Sequence, residues 1–298
     1  MKPFRVVGVI GKRREPDLDL LRDLCAALKA LGCEVLVERN PALQGRLEGP
    51  LADRQTLAKR CDLVIVVGGD GTLLDAGRAL APALVPLLGV NQGRLGFMVD
   101  VAPETMHEQL AAIVGGQCEP EDRLLLSSVV RRGDRVEGET HLAVNDVVVR
   151  NHATIRMIEF ETWLEDEFIS NHRADGVIVS SPTGSTAYAL SGGGPLLHPG
   201  AQAIALVPIC PHTLSDRPIV VGSDRCIRIV IGEDVERVRA TATFDGQTSA
   251  TLAAGDVVEV RRAPFPLRLI HPAGYSYFRI LRDKLRWGSG PAAPRGRA

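Results

Sequence analysis

An α/β, Rossmann-like N-terminal domain followed by an all-β, sandwich-like C-terminal domain is the fold class that this sequence predicts. Three observations point to it. Early β-branched runs alternate with helically spaced leucines, a buried-type strand leads straight into a glycine-rich turn, and beyond Gly115-Gly116 short β-branched runs follow one another between turn residues. A length of 298 residues suits two domains on a prior of about 100 to 200 residues each. The expected boundaries are 1–120 for the α/β domain, 121–272 for the β-rich domain and 273–298 for a helix returning to the first domain with a flexible tail.

Phe4–Ile10 is a β-branched strand, and Leu18, Leu21, Leu24, Cys25 and Leu28 share one face of a helix over Asp17–Leu31, stopped by Gly32. Glu34–Val37 is the next strand. Within Asp62–Val67, the run Leu63–Val67 is apolar throughout, as a strand covered on both faces must be, and a helix from Leu73 to about Leu80 completes the unit. The later strands are read at Leu124–Val130, Leu142–Arg150, Ile155–Leu164, Gly176–Val179, Ile219–Val221, Cys226–Ile231, Val238–Phe244, Val257–Arg262 and Leu267–Ile270, before a helix over Ser276–Trp287.

Hydrophobic residues at 45% and charged residues at 24% describe an ordinary globular chain. Lys plus Arg (35) nearly balances Asp plus Glu (36) and aromatics make up 4%, so neither a basic stripe nor a stacking platform for nucleic acid is expected. Six cysteines form no CxxC pair and read as reduced thiols. With no signal peptide and no run of membrane-spanning length, a cytoplasmic protein without a membrane partner is expected. The seven histidines are scattered; none is assigned to a metal or to catalysis, and structural roles are expected for His212 and His271.

Gly68-Gly69-Asp70-Gly71-Thr72 lies directly between a strand and a helix. Glycines there let backbone amides approach a phosphate, and the helix N-terminus adds partial positive charge. A carboxylate in such a cradle repels phosphate unless it holds a metal or takes a proton from a hydroxyl, which points to phosphoryl transfer. The bland alternative is a tight turn in which Asp70 caps the helix. Neither a P-loop nor a GxGxxG fingerprint is present. A second segment, Asp175-Gly176-Val177-Ile178-Val179-Ser180-Ser181-Pro182-Thr183-Gly184-Ser185-Thr186-Ala187-Tyr188 running on to Gly192-Gly193-Gly194, combines small hydroxyls, one aromatic and a costly triple glycine.

Together these segments resemble the NAD kinase family. Asn91-Gln92-Gly93-Arg94-Leu95-Gly96-Phe97 is similar to a further family stretch, Asn145-Asp146 stands where the family has Asn-Glu, and Phe244-Asp245-Gly246-Gln247 follows. The resemblance implies transfer of the γ-phosphoryl group of ATP to the 2′-hydroxyl of the adenosine ribose of NAD, making NADP, with Mg²⁺ as the divalent cation. It implies Asp70 as the base, Gly68, Gly69, Gly71 and Thr72 around the phosphates, and Phe97 over the nucleotide. Asn145, Thr183, Thr186 and Ala187 would hold the adenosine part, Asp146 the ribose hydroxyls, and Tyr188 would stack on a base. Arg156, Arg173, Asp175, Ser191 and Gln247 match further dinucleotide contacts, with Arg173 and Asp175 on one face of a strand. Asp146 is one methylene shorter than the usual Glu, so its direct hydrogen bond is expected to be weaker or bridged by water.

The dinucleotide is expected at the domain junction, in a homodimer or homotetramer. Inorganic polyphosphate stays open as a replacement for ATP. Two alternatives stand beside this reading: a diacylglycerol-type lipid kinase, which shares the GGDG-type turn, and a non-catalytic NAD-sensing module, which needs no acid at position 70.

Overall fold

Buried apolar strands make a parallel sheet out of the N-terminal part of the chain. In the computed structural model, which describes residues 2–47, 49–92, 96–99, 101–151, 157–213, 215–232 and 240–286, this part reads β1 (Val6–Gly11), α1 (Leu18–Ala30), β2 (Glu34–Glu38), β3 (Leu51–Ala52), α2 (Arg54–Arg60), β4 (Leu63–Gly68), α3 (Asp70–Leu80), β5 (Leu87–Asn91), α4 (Met106–Val114) and β6 (Cys118–Arg123). Every residue of β4 and β5 is buried, as the continuous apolar run required. Asp17 caps α1 by accepting the Leu20 N–H at 3.0 Å, and the helix buries Leu21, Leu24, Cys25 and Leu28.

The β-rich part contains β7 (Leu126–Arg132), β8 (Arg135–Ala143), β9 (Asp146–Asn151), β10 (Ile158–Leu164), β11 (Glu167–Ala174), β12 (Gly176–Ser180), the short α5 (Tyr188–Ser191), β13 (Ala203–Ile209), β14 (Ile219–Gly222), β15 (Ile227–Ile231), β16 (Ala240–Phe244), β17 (Thr248–Leu252) and β18 (Val257–Arg262). Then come β19 (Leu267–Pro272) and α6 (Tyr277–Leu285). The sheets run β3-β2-β1-β4-β5-β19-β6, β11-β10-β15-β18-β7-β8 and β14-β13-β12-β9-β16-β17. Two compact units result: the chain up to Leu73 with Val85–Glu121 and everything from Leu269, and Leu74–Leu84 with Asp122–Arg268.

The two six-stranded sheets share one core. Period-2 alternation sends Val147, Val149, Val177 and Val179 into it beside Phe160, Ile229 and Val260, while Val148 and Ile178 face Ala189 of α5 on the other side. β9 and β12 are therefore covered on both faces, a firm base for the loop that follows β12.

Three readings change. The run Leu142–Arg150 is two strands broken at Val144-Asn145, because a carboxylate described below draws those amides out of the ladder. Leu267–Ile270, read with the β-rich domain, joins the parallel sheet by pairing Leu269 with Leu87, since sequence spacing does not say which sheet an apolar strand enters. Arg173 and Asp175 do not lie on one strand. The chain leaves the β11 sheet at Ala174 and enters the β12 sheet at Gly176, so Asp175 sits at the crossover, where period-2 alternation does not hold.

His172 of β11 is buried, stacks on Phe160 at 5.1 Å and bonds to Thr162 Oγ1 (2.9 Å) and Asp216 Oδ2 (3.0 Å). His271 is buried in the parallel unit against Glu121 at 3.0 Å and Tyr275. Truncating Phe160→Ala empties core volume and removes the surface on which His172 stacks. The expected loss is about 3 to 5 kcal/mol in urea unfolding; a loss below about 1 kcal/mol would show that the sandwich core does not rest on this ring.

Candidate functional site

The GGDGT turn is itself the first turn of α3. The carbonyl of Gly69 accepts the N–H groups of Thr72 (3.0 Å) and Leu73 (3.2 Å), so the helix begins at Asp70 rather than at Leu73 as its apolar face suggested. A Cβ built on Gly69 would meet nothing within 4 Å, whereas one on Gly68 would press on Thr72. The backbone at Gly69 is thus open to an approaching group at a helix N-terminus.

Asp70 is held from outside its own helix. The Phe97 N–H donates to Oδ2 at 2.8 Å and the Met98 N–H to Oδ1 at 3.2 Å. Gly96 is what lets that segment come so close, since a Cβ there would lie 2.0 Å from Asp70 Oδ1. Phe97 is half-buried and contributes its backbone to the acid. Gly93, Arg94 and Leu95 lie outside the described residues.

In the β-rich unit the second segment folds onto Asn145. After β12, Ser181 donates its N–H to the Asn145 carbonyl (2.9 Å) and its Oγ to the Val144 carbonyl (2.5 Å). Gly184 backs onto the same peptide so closely that a Cβ would stand 2.1 Å from the Asn145 carbonyl oxygen. Thr183–Thr186 make a 3-10 turn, with Thr186 Oγ1 donating to the Thr183 carbonyl at 3.2 Å, and Tyr188 opens α5 with 41% of its surface exposed. A pocket of about 350 Å³ is lined by Asn145, Asp146, Arg150, Ala187, Tyr188 and Asp245, among others.

The buried atoms here are unsatisfied in a telling pattern. Asn145 Oδ1 and Thr183 Oγ1 have no hydrogen-bond partner among the described residues. A buried polar atom left this way carries a desolvation cost that a polar ligand removes. Asp146 is 5% exposed, and burial first, then the negative charge of Asp245, push its carboxyl from 3.8 up to about 7.

Of the residues expected from sequence, the structure brings Asn145, Asp146, Ala187 and Tyr188 to one pocket, with Thr183 and Thr186 in the adjoining turn. Arg173 is exposed beside Glu159 at 3.8 Å, Asp175 is partly buried, and neither lines that pocket. Ser191 is exposed at the end of α5, and Gln247 Oε1 accepts from Arg78 Nη2 at 2.6 Å. Arg156 lies outside the described residues. Sequence reasoning assigned nothing to Asp245, although it sits in the Phe244-Asp245-Gly246-Gln247 stretch, or to Arg78 and Arg150. Asp245 had a local signal, an Asp-Gly pair between two β runs; Arg78 had none. Among the described residues, no group of three His, Cys, Asp or Glu side chains able to hold a metal occurs, and no helix is long and apolar enough to cross a membrane.

Comparison with known proteins bears on both units. The family model for the ATP-NAD kinase N-terminal domain matches residues 7–118, and that for the ATP-NAD kinase C-terminal domain matches residues 144–272. The chain is 44% identical over 291 residues to the NAD kinase of Teredinibacter turnerae, covering 97% of this chain and 99% of the relative. Its fold is similar to that of an NAD kinase from Archaeoglobus fulgidus solved in complex with ATP, with a TM-score of 0.74, 27% identity and coverage of 95% and 98% of the two chains. A yeast NADH kinase solved with NADH shares the fold with a TM-score of 0.87 at 24% identity, over 98% of this chain and 90% of that one.

The raised carboxyl of Asp146 fixes a sign. It binds its proton more tightly folded than unfolded, so the stability it contributes is complete below about pH 4 and is lost as pH rises through about 7. The linkage between those limits is worth at most roughly 4 kcal/mol. The ligand-free chain is therefore expected to lose more melting temperature between about pH 5 and pH 8 than Asp146→Asn, which has no proton to release there. Parallel curves for the two proteins in a thermal-shift series would contradict the assignment.

Proposed function

The chain belongs to the NAD kinase family, and on that premise we propose that it transfers the γ-phosphoryl group of ATP to the 2′-hydroxyl of the adenosine ribose of NAD, yielding NADP and ADP. The observation that carries the reading is the fixed acid in a glycine-flanked helix start: Asp70, oriented by the amides of Phe97 and Met98 beside an open backbone at Gly69.

Asp70 takes the proton of the 2′-hydroxyl as the hydroxyl oxygen bonds to the γ-phosphorus and the bond to the ADP oxygen breaks. Gly68, Gly69, Gly71 and Thr72 belong to the turn that phosphates approach at the start of α3. A Mg²⁺ ion accompanying ATP would supply positive charge that offsets the negative charge of the transferring group. On the nucleotide side, Asn145 Oδ1 and Thr183 Oγ1 are ready acceptors for adenosine donors, and the exposed ring of Tyr188 offers a stacking face. Asp146, with a carboxyl near 7, can donate to as well as accept from a ribose oxygen. Phe97, Arg156, Arg173, Asp175, Ser191 and Gln247 are proposed as further dinucleotide contacts.

A homodimer or homotetramer belongs to the same reading, supported by the edge strand β14, where Ile219 and Val220 stand 38% and 45% exposed. A reducing cytoplasm fits six free cysteines, of which Cys25, Cys33, Cys61 and Cys226 are buried. A diacylglycerol-type lipid kinase is disfavoured by the family matches to both units of the chain. An NAD-sensing module without turnover would leave the orientation of Asp70 without a use.

Two measurements test this reading. Asp70→Asn keeps an oxygen for one amide bond but cannot accept the hydroxyl proton, so kcat with ATP and NAD is expected to fall at least about 100-fold while NAD still raises the melting temperature; near-normal turnover would move catalysis elsewhere. A carboxylate near the cationic oxidised nicotinamide favours NAD over NADH by roughly tenfold, on the scale of about 1 to 3 kcal/mol for a charge pair at an effective dielectric near 20. With Asp175 as that carboxylate, the ratio of kcat/KM for NAD and NADH is expected to collapse in Asp175→Asn. An unchanged ratio removes Asp175 from this role.

A further inference from the structure

We propose that Asp245 and Arg78 are positioning residues of the nucleotide pocket, a buried ion pair that fixes the turn carrying Asn145 and Asp146; the proposal rests on reading that pocket as the adenosine site.

The carboxylate of Asp245 is fully enclosed and takes four donors. Oδ1 accepts the N–H groups of Asn145 (2.7 Å) and Asp146 (3.3 Å), and Oδ2 accepts the Val144 N–H (3.0 Å) and Arg78 Nη1 (2.7 Å). Three successive amides can converge on one side chain only if the strand stops there, which is where β8 ends and β9 begins. The break turns Asn145 and Asp146 toward the pocket instead of leaving them to alternate along a ladder.

Arg78 completes the arrangement from the last turn of α3, the helix that Asp70 opens. Its guanidinium, 12% exposed, also holds Gln247 Oε1 at 2.6 Å and reaches Asp75 at 3.4 Å. It thereby supplies the counter-charge to a carboxylate with no access to water and fixes the loop after it. Without Arg78, a buried anion would face Asp146 uncompensated.

The backbone keeps the test clean. Asp245 adopts φ 52 and Gly246 φ 62, a pair of left-handed residues of the kind that Asp-Gly and Asn-Gly both provide in a hairpin. Asp245→Asn therefore preserves the turn while removing the charge and one acceptor. The charged or titratable groups that share the pocket with Asp146 are Asp245, Arg150 of its own strand and Tyr188 of α5.

Asp245→Asn and Arg78→Gln are compared with wild type in steady-state phosphorylation of NAD by ATP, and the Asp146 carboxyl is titrated by ¹³C NMR in the ligand-free chain. Both variants are expected to raise KM for NAD about tenfold or more with kcat within about threefold. The Asp146 midpoint, about 7 in wild type, should move down in Asp245→Asn, which loses a like charge, and up in Arg78→Gln, which loses the counter-charge. Opposed shifts are not produced by general damage to the fold. Wild-type KM values, or midpoints that stay put or move together, overturn the proposal. If Asp245→Asn does not fold, Arg78→Gln decides alone by an upward or unchanged midpoint. Failure of the wild type to phosphorylate NAD would sink the functional reading while the titration still tests the ion pair.

Discussion

Two backbones touch at Gly184 and Asn145, and the pocket proposed for the nucleotide depends on that approach. The carbonyl of Asn145 accepts the Ser181 N–H at 2.9 Å and lies 2.1 Å from where a Cβ of residue 184 would be. Any other side chain at 184 would push the Thr183–Thr186 turn away and carry Ala187 and Tyr188 with it. The contact holds its place because β9 and β12 are packed on both faces, by the sandwich core on one side and Ala189 with Val207 on the other. A loop rich in serine, threonine and glycine is ordered here by what it leans on.

The two central acids are treated in opposite ways by their surroundings. Asp70 is partly buried and receives two backbone N–H groups from a segment that Gly96 brings close, an arrangement that aims a carboxylate without covering it. Asp146 is buried near another carboxylate and keeps its proton up to about 7. In the reaction proposed above, Asp70 is the acceptor of the hydroxyl proton, while a carboxyl that keeps its proton to about 7 can donate to as well as accept from a ligand oxygen.

Much of this was visible in the residues. The unbroken apolar run at β4 could only be a covered strand, and the leucine spacing of α1 could only bury one face, since both patterns depend on near neighbours in the chain. The site was legible in part for the same reason: Gly68–Thr72 and the run through Tyr188 are contiguous, so their glycines and hydroxyls declare a close approach to something polar. Where reading failed, distance along the chain was the cause. Val144 and Asn145 looked like strand because the side chain that draws their amides away is Asp245, about a hundred residues later. Arg173 and Asp175 looked like one face because nothing local announces that the chain changes sheets at Ala174.

The sequence by itself determined the alternation of elements, the glycine-flanked acid and the family to which those motifs point, because periodicity and motif order are properties of neighbouring residues. Tertiary structure alone decided that Asp70 is oriented by Phe97 and Met98, that Arg78 meets Asp245 across 167 positions, and that Asp146 holds its proton near neutrality. Each of these is an electrostatic fact, and a charge takes its energy from the donors, the counter-charges and the water around it, which exist only once distant segments have been packed together.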